Sequence, residues 1–128
     1  MSRAVLDASA VMAVLNSEPG AEKLTPQIMS AAVASTVNLA EVHGKLVQRG
    51  FSPDDAWAAA NGVIGEAVAF TAEQAKTAGD LVVQARPLGL SLGDRACLAL
   101  AIALRAPVYT ADRAWRNLKL GIRIHVIR

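Results

Sequence analysis

The chain has 128 residues and a formal net charge of +2, from 13 Lys and Arg against 11 Asp and Glu. Apolar residues make up 53% and charged residues 19%, a balance that excludes a disordered polymer, which needs low hydrophobicity and high net charge. The length predicts one domain spanning 1–128, able to bury roughly two-thirds of its unfolded surface, and the overall charge excludes a strongly basic nucleic-acid-binding tail.

The charge is unevenly spread. Residues 105–128 hold six basic residues and one acid, while residues 1–104 are net −3. A near-neutral protein with a basic end is compatible with an anionic partner without requiring one.

Taken in chain order, short apolar runs alternate with longer helical ones. Residues 3–6 predict a strand ending at Asp7, and 9–16 a helix. A second helix is expected over 21–27, disturbed by Pro26. A strand over 31–35 precedes a helix over 36–49 closed by Gly50. Ser52, Pro53, Asp54 and Asp55 then form a helix start, with Ser52 as N-cap and acids in the first turn. The remaining expectations are a strand at 68–70, a helix at 72–85, an apolar helix from Ser91 to Arg105 and a strand at 107–110. A short helix at 113–118 and a last strand at 122–127 complete the chain. This alternation predicts an α/β fold with a central, mostly parallel, twisted sheet. In such sheets ligands collect at the carboxyl ends of the strands.

Cys97 is the sole cysteine and lies in an apolar run, which reads as a buried inert thiol. His43 and His125 are the only histidines, too few for a zinc cluster. The opening residues reach Asp7 too early for a signal peptide, and the apolar run 96–104 is far shorter than the roughly 18 residues of a membrane span. The expectation is a soluble, cytoplasmic protein with no membrane association. Trp57 and Trp115 read as packing residues, and the Ala-rich segment 57–65 as core.

Four acids fall where ligands collect. Asp7 ends the first strand, and Glu41 lies early in the helix after the second. Asp94 is in the first turn of the apolar helix, and Asp112 follows the 107–110 strand. Each has a structural alternative. Asp112 could cap the next helix with Arg116 a turn away. Glu41 could pair with Lys45. Asp94 stands three residues after Ser91, the spacing of a capping box. Asp7, inside AVLDASAV, is the hardest to explain without a ligand.

Two carboxylates about 4 Å apart repel by about 4 kcal/mol at an effective dielectric near 20, so a cluster needs protons or a cation. Carboxylate oxygens without His or Cys suit Mg²⁺ or Mn²⁺. Such a site can activate water for in-line attack on a phosphodiester. Ser9 and Thr110 could position water or substrate, and Asn38, one turn before Glu41, could hold that carboxylate.

Four segments in order resemble the PIN-domain ribonucleases, specifically VapC-type toxins of toxin–antitoxin pairs. They are VLDASAVMAVLNSEPG at 5–20, STVNLAEVHGKL at 35–46, LSLGDRACLALA at 90–101 and VYTADRAW at 108–115. The resemblance implies a compact α/β/α domain that cleaves RNA with Mg²⁺ or Mn²⁺, with Asp7, Glu41, Asp94 and Asp112 as the acidic catalytic set and Asp7, Asp94 and Asp112 as its metal ligands. It also implies a homodimer and a cognate VapB-type antitoxin, with operator DNA bound only through that antitoxin. Arg95, Arg113, Arg116 and Arg123 fit the RNA phosphates in this reading, since they lie beside the site acids or in the same basic stretch.

Two other readings use the same residues. A phosphotransfer receiver-like domain would want a Lys at a strand end, which is missing. A non-catalytic RNA- or partner-binding module predicts that neutralising an acid leaves function intact. Rossmann cofactor binding fails because no GxGxxG follows the first strand.

Overall fold

The computed structural model describes residues 3–128. Five strands form one all-parallel sheet: β1 (Ala4–Leu6), β2 (Ala32–Ser35), β3 (Glu66–Val68), β4 (Val108–Thr110) and β5 (Ile124–Val126), in the order β3-β2-β1-β4-β5. The chain runs outward one way through β2 and β3, then returns past β1 to add β4 and β5. The order therefore reverses between β1 and β4, and in open sheets of this kind the crevice beyond the strands' carboxyl ends at that point is where ligands bind.

Among the described residues seven helices flank the sheet: α1 (Ala8–Asn16), α2 (Pro26–Ser30), α3 (Thr36–Gln48), α4 (Pro53–Val63), α5 (Ala72–Asp80), α6 (Val82–Ala85) and α7 (Leu92–Leu104). Side chains alternate across each strand. Ala4, Leu6, Ala32 and Ala34 face one core with α1, α3 and α4, while Val5, Val33 and Val108 face a second with α7 and Trp115. The small alanines on the first face let α1 and α3 lie close to the sheet. Leu98, Leu100 and Cys97 are fully buried, as the charge-free stretch of α7 requires.

Several expected boundaries move for identifiable reasons. Pro26 does not disturb a helix but begins α2, at the first-turn position where its missing N–H costs nothing, with Thr25 as the cap. A 3₁₀ turn (Ala21–Lys23) stands before it. β3 lies two residues earlier than expected, because this edge strand carries the exposed Glu66 and Ala67 and so has little apolar signal. The expected 72–85 helix breaks at Leu81 into α5 and α6. The last short helix is a 3₁₀ turn (Arg113–Asn117). Trp115 is fully buried, whereas Trp57 is 51% exposed and lies edge-on to His43 at 5.5 Å, so it is not a core residue. Among the described residues no helix is long and apolar enough to cross a membrane.

Candidate active site

Asp7 follows β1 directly and is the N-cap of α1, a role the residue pattern alone did not predict. Its Oδ1 accepts from the Ala10 N–H at 2.8 Å and from the Ser9 hydroxyl at 2.7 Å. Oδ2 accepts from the Thr110 hydroxyl at 2.6 Å. Four carboxylate contacts from three donors hold this side chain at the β1–β4 crevice, where it is only 3% exposed. Burial pushes its pKa up to about 6, against the pull of those hydrogen bonds, and the nearby Asp94 charge raises it further.

Ser9 and Thr110 knit the β4 end to α1. The Ser9 hydroxyl receives the Ala111 N–H at 2.9 Å, and the Thr110 hydroxyl receives the Asp112 N–H at 3.0 Å. Thr110 thus joins Asp7 to the Asp112 backbone. The Asp112 side chain itself caps the 3₁₀ turn, accepting from the Ala114 N–H at 2.9 Å, and is exposed.

Across the crevice, Asn38 on α3 is 1% exposed and donates to Glu41 Oε1 at 2.8 Å and to the Gly93 carbonyl at 3.0 Å. It clamps α3 to the start of α7. Glu41 lies so close to Gly93 that a β-carbon there would come within 2.5 Å of both carboxylate oxygens. The Asn38 Oδ1 is buried without a partner among the described residues. Asp94 completes a capping box with Ser91, its Oδ2 accepting the Ser91 N–H at 2.8 Å. No hydrogen bond engages its Oδ1 among the described residues.

Cys97 reports on the whole arrangement. Its thiol pKa lies well above the ordinary value, first through burial and then through the negative field of Asp7, Asp94 and Glu41. These three carboxylates from three elements therefore lie near Cys97, while the Asp112 backbone joins Asp7 through Thr110. Among the described residues, no three His, Cys, Asp or Glu groups come together closely enough to hold a metal ion. The chemistry of the donors still fits a hard divalent cation: they are oxygens only, and the orphaned Asn38 Oδ1 adds a buried one.

The arginines divide. Arg95 turns away from the crevice and donates to the Ala78 carbonyl of α5 at 2.8 Å. Arg113 donates to the Arg128 carbonyl at 3.3 Å, and Arg116 is exposed on the same 3₁₀ turn. Arg123 precedes β5, at the end of the sheet opposite the acids. The basic stretch 105–128 is therefore not gathered beside the acids, since β4 runs through it and leaves Arg105 at one end and Arg113 at the other. Gly93 had no sequence argument behind it. The available signal was a glycine inside a helix that would be more stable with alanine.

Comparison with known proteins agrees with this architecture. The fold resembles a chain of the DNA-bound VapBC complex from Salmonella typhimurium, with a TM-score of 0.75 at 19% identity over 100% of both chains. It resembles VapBC2 from Rickettsia felis, bound to a fragment of its promoter DNA, with a TM-score of 0.74 at 16% identity over 98% of both. It also resembles VapC20 of Mycobacterium tuberculosis, a toxin that cleaves the sarcin–ricin loop, with a TM-score of 0.71 at 20% identity over 94% of this chain and 98% of that one. No curated protein matches the sequence significantly. The PIN domain family model matches residues 4–120, and the chain belongs to the PIN domain family.

Proposed function

We propose that this protein is the toxin of a VapBC-type pair and an endoribonuclease that hydrolyses RNA phosphodiester bonds. The observation that carries this reading is the buried Asp7 carboxylate at the β1–β4 switch point, held by Ser9, Ala10 and Thr110, with Glu41 lying against Gly93, the residue before Asp94. A toxin of the same fold that cleaves the sarcin–ricin loop, at 20% identity, supports RNA as the substrate class.

In this reading Asp7, Asp94 and Asp112 would hold Mg²⁺ or Mn²⁺, with Glu41 completing the acidic set. The cation, when bound, would supply Lewis acidity and neutralise the charge developing on the phosphodiester. The chain's own part is preorganisation. Ser9 and Thr110 lock the Asp7 carboxylate, Asn38 locks Glu41, and the α7 cap places Asp94. Arg113 and Arg116, on the turn after Asp112, would contact RNA phosphates. The anchoring of Arg95 on α5 favours a structural role for it. A VapB-type antitoxin and a homodimer belong to the same reading, with operator DNA reached through the antitoxin.

The test is cleavage of RNA by the purified protein with Mg²⁺, Mn²⁺ or EDTA, alongside Asp7→Asn and Asp94→Asn. Cleavage that needs the metal and vanishes in both folded variants supports the reading. Cleavage that survives in EDTA or in folded Asp94→Asn overturns it. Co-expression with the product of a neighbouring short gene, read by complex formation and relief of toxicity, tests the partner.

A further inference from the structure

Parallel sheets are ordinarily covered on both faces. Here the β4–β5 half is only partly covered on one face: Tyr109 is half-buried against the α1 core, while Arg123 and His125 are exposed. β4 and β5 pair Val108 with Ile124 and Tyr109 with His125. Val108 and Ile124 face the Trp115 core. By strand alternation Pro107, Tyr109, Arg123 and His125 face the other way. There Tyr109 and His125 stack with ring centroids 4.7 Å apart and planes 15° apart. A cavity of about 790 Å³ opens over Pro107, Tyr109, Arg123 and His125 and reaches Arg105 and Ile102 at the end of α7. That size is within the range of small-molecule and cofactor sites.

The lining carries two arginines and no carboxylate. Neither the Arg105 nor the Arg123 guanidinium has a hydrogen-bond or ion-pair partner among the described residues, whereas those of Arg3 and Arg128 pair with Glu66 and Glu18. Arg105 is also strained. It caps α7 with φ 50°, in the left-handed region where glycine or asparagine is usual. The chain thus holds a long cation at a position whose backbone favours glycine, and its charge is left at this cavity.

We propose that this face is a binding site for single-stranded RNA, with Arg105 and Arg123 on the phosphates and the Tyr109–His125 pair against a base. The charge alone would equally suit an acidic peptide. The stacked rings favour a nucleic acid, because bases stack on such platforms and acidic side chains do not. Tyr109 immediately precedes Thr110, whose hydroxyl holds Asp7. Arg105 and Arg123 stand at the other end of β4 from the acids, so this site is separate from the acidic one. The inference rests on the ribonuclease reading only in choosing RNA as the ligand.

The experiment is fluorescence anisotropy of a fluorescein-labelled octauridylate in EDTA, so that binding is read without cleavage. Arg123→Glu and Arg105→Gly are each expected to weaken binding at least fivefold. Each should also flatten the dependence of log affinity on log salt by about 0.7, the contribution of one phosphate contact in a single strand. Arg105→Gly is further expected to raise Tm, because glycine accepts the left-handed backbone. Lys76→Glu, on α5 and paired with Asp80, is the charge control and should bind within twofold of wild type. Wild-type binding by the arginine variants overturns the proposal, as does an equal loss in Lys76→Glu. Displacement of the RNA by polyglutamate at equal charge concentration also overturns it and assigns the face to an acidic peptide. If the wild-type protein cuts no RNA with Mg²⁺ yet binds it through these arginines, the nuclease reading fails and this site stands.

Discussion

A methyl group on Gly93 would lie 2.5 Å from both carboxylate oxygens of Glu41. The contact spans α3 and α7 and leaves no room for any other residue unless Glu41 moves. Alanine inside a helix is favoured over glycine by about 0.5–1 kcal/mol, and the obstacle is the mobile end of a side chain. Gly93→Ala is therefore expected to fold with unchanged or slightly raised Tm while its RNA cleavage falls at least tenfold. Thermal unfolding and a cleavage time course read the two effects separately. Full activity in a folded Gly93→Ala protein would show that the Glu41 position is irrelevant.

Asn38 acts on the same contact from the other side. Its amide bridges Glu41 and the Gly93 carbonyl, so Asn38→Ala removes two hydrogen bonds, one of them to a carboxylate, at a cost of about 1–3 kcal/mol. Asn38→Asp should be worse, because it sets a second carboxylate against Glu41 and the carbonyl. Urea denaturation of the two variants gives the order, and an Asn38→Asp protein as stable as Asn38→Ala would contradict it.

Asp7 makes stability depend on pH. Its folded pKa is about 6, against the ordinary 3.8 that it takes in the unfolded chain. Below about pH 3 the group is largely protonated in both states and imposes little penalty. Between these values the folded state binds more protons, so stability falls as pH rises, and the penalty is complete above about pH 7. At about 1.4 kcal/mol per pKa unit the full effect is about 3 kcal/mol. In Asp7→Asn this dependence is gone, while a hydrogen bond to Thr110 is lost at every pH. The stability of wild type minus that of Asp7→Asn, measured by urea unfolding in EDTA, should therefore drop by about 3 kcal/mol from acid to neutral pH. A flat difference would mean that Asp7 is not desolvated.

The four acids were legible because strand ends and helix starts can be read from short apolar runs and N-cap residues. The capping roles of Asp94 and Asp112 were legible as well, since each depends on neighbours within three residues. That of Asp7 was not, because the helix was expected to begin at Ser9 and its true start lies at Ala8. The Asn38–Gly93 bond joins residues 55 apart. It exists only because α3 and α7 both pack near the β1–β2 end of the sheet, and no local pattern encodes that. The dispersal of the basic stretch is similar. Arg105 and Arg113 are near in sequence, but a strand separates them and sends them to opposite ends of the sheet.

Trp115 is fully buried in the α7 core with its indole N–H unpaired among the described residues. Trp115→Ala should cost about 3–5 kcal/mol through the cavity it leaves. Trp115→Phe removes the orphaned donor together with part of the ring, so it should cost well under half as much. Chemical denaturation of both variants measures the ratio. Equal costs would indicate that the indole N–H has a partner in solution.

Asp94 allows capping and chemistry to be separated. Its Oδ2 accepts the Ser91 N–H, and its backbone N–H donates to the Ser91 hydroxyl. Asparagine keeps an acceptor at that position, so Asp94→Asn should match wild-type stability within about 0.5 kcal/mol, whereas Asp94→Ala should lose about 1 kcal/mol. Ser91→Ala should lose a similar amount while keeping the carboxylate. If Asp94 serves the reaction through its charge, cleavage collapses in both Asp94 variants and survives in Ser91→Ala. If it serves only as a cap, activity follows stability across all three, and Asp94→Asn remains active. Unfolding free energies set beside cleavage rates for the three proteins decide between these outcomes.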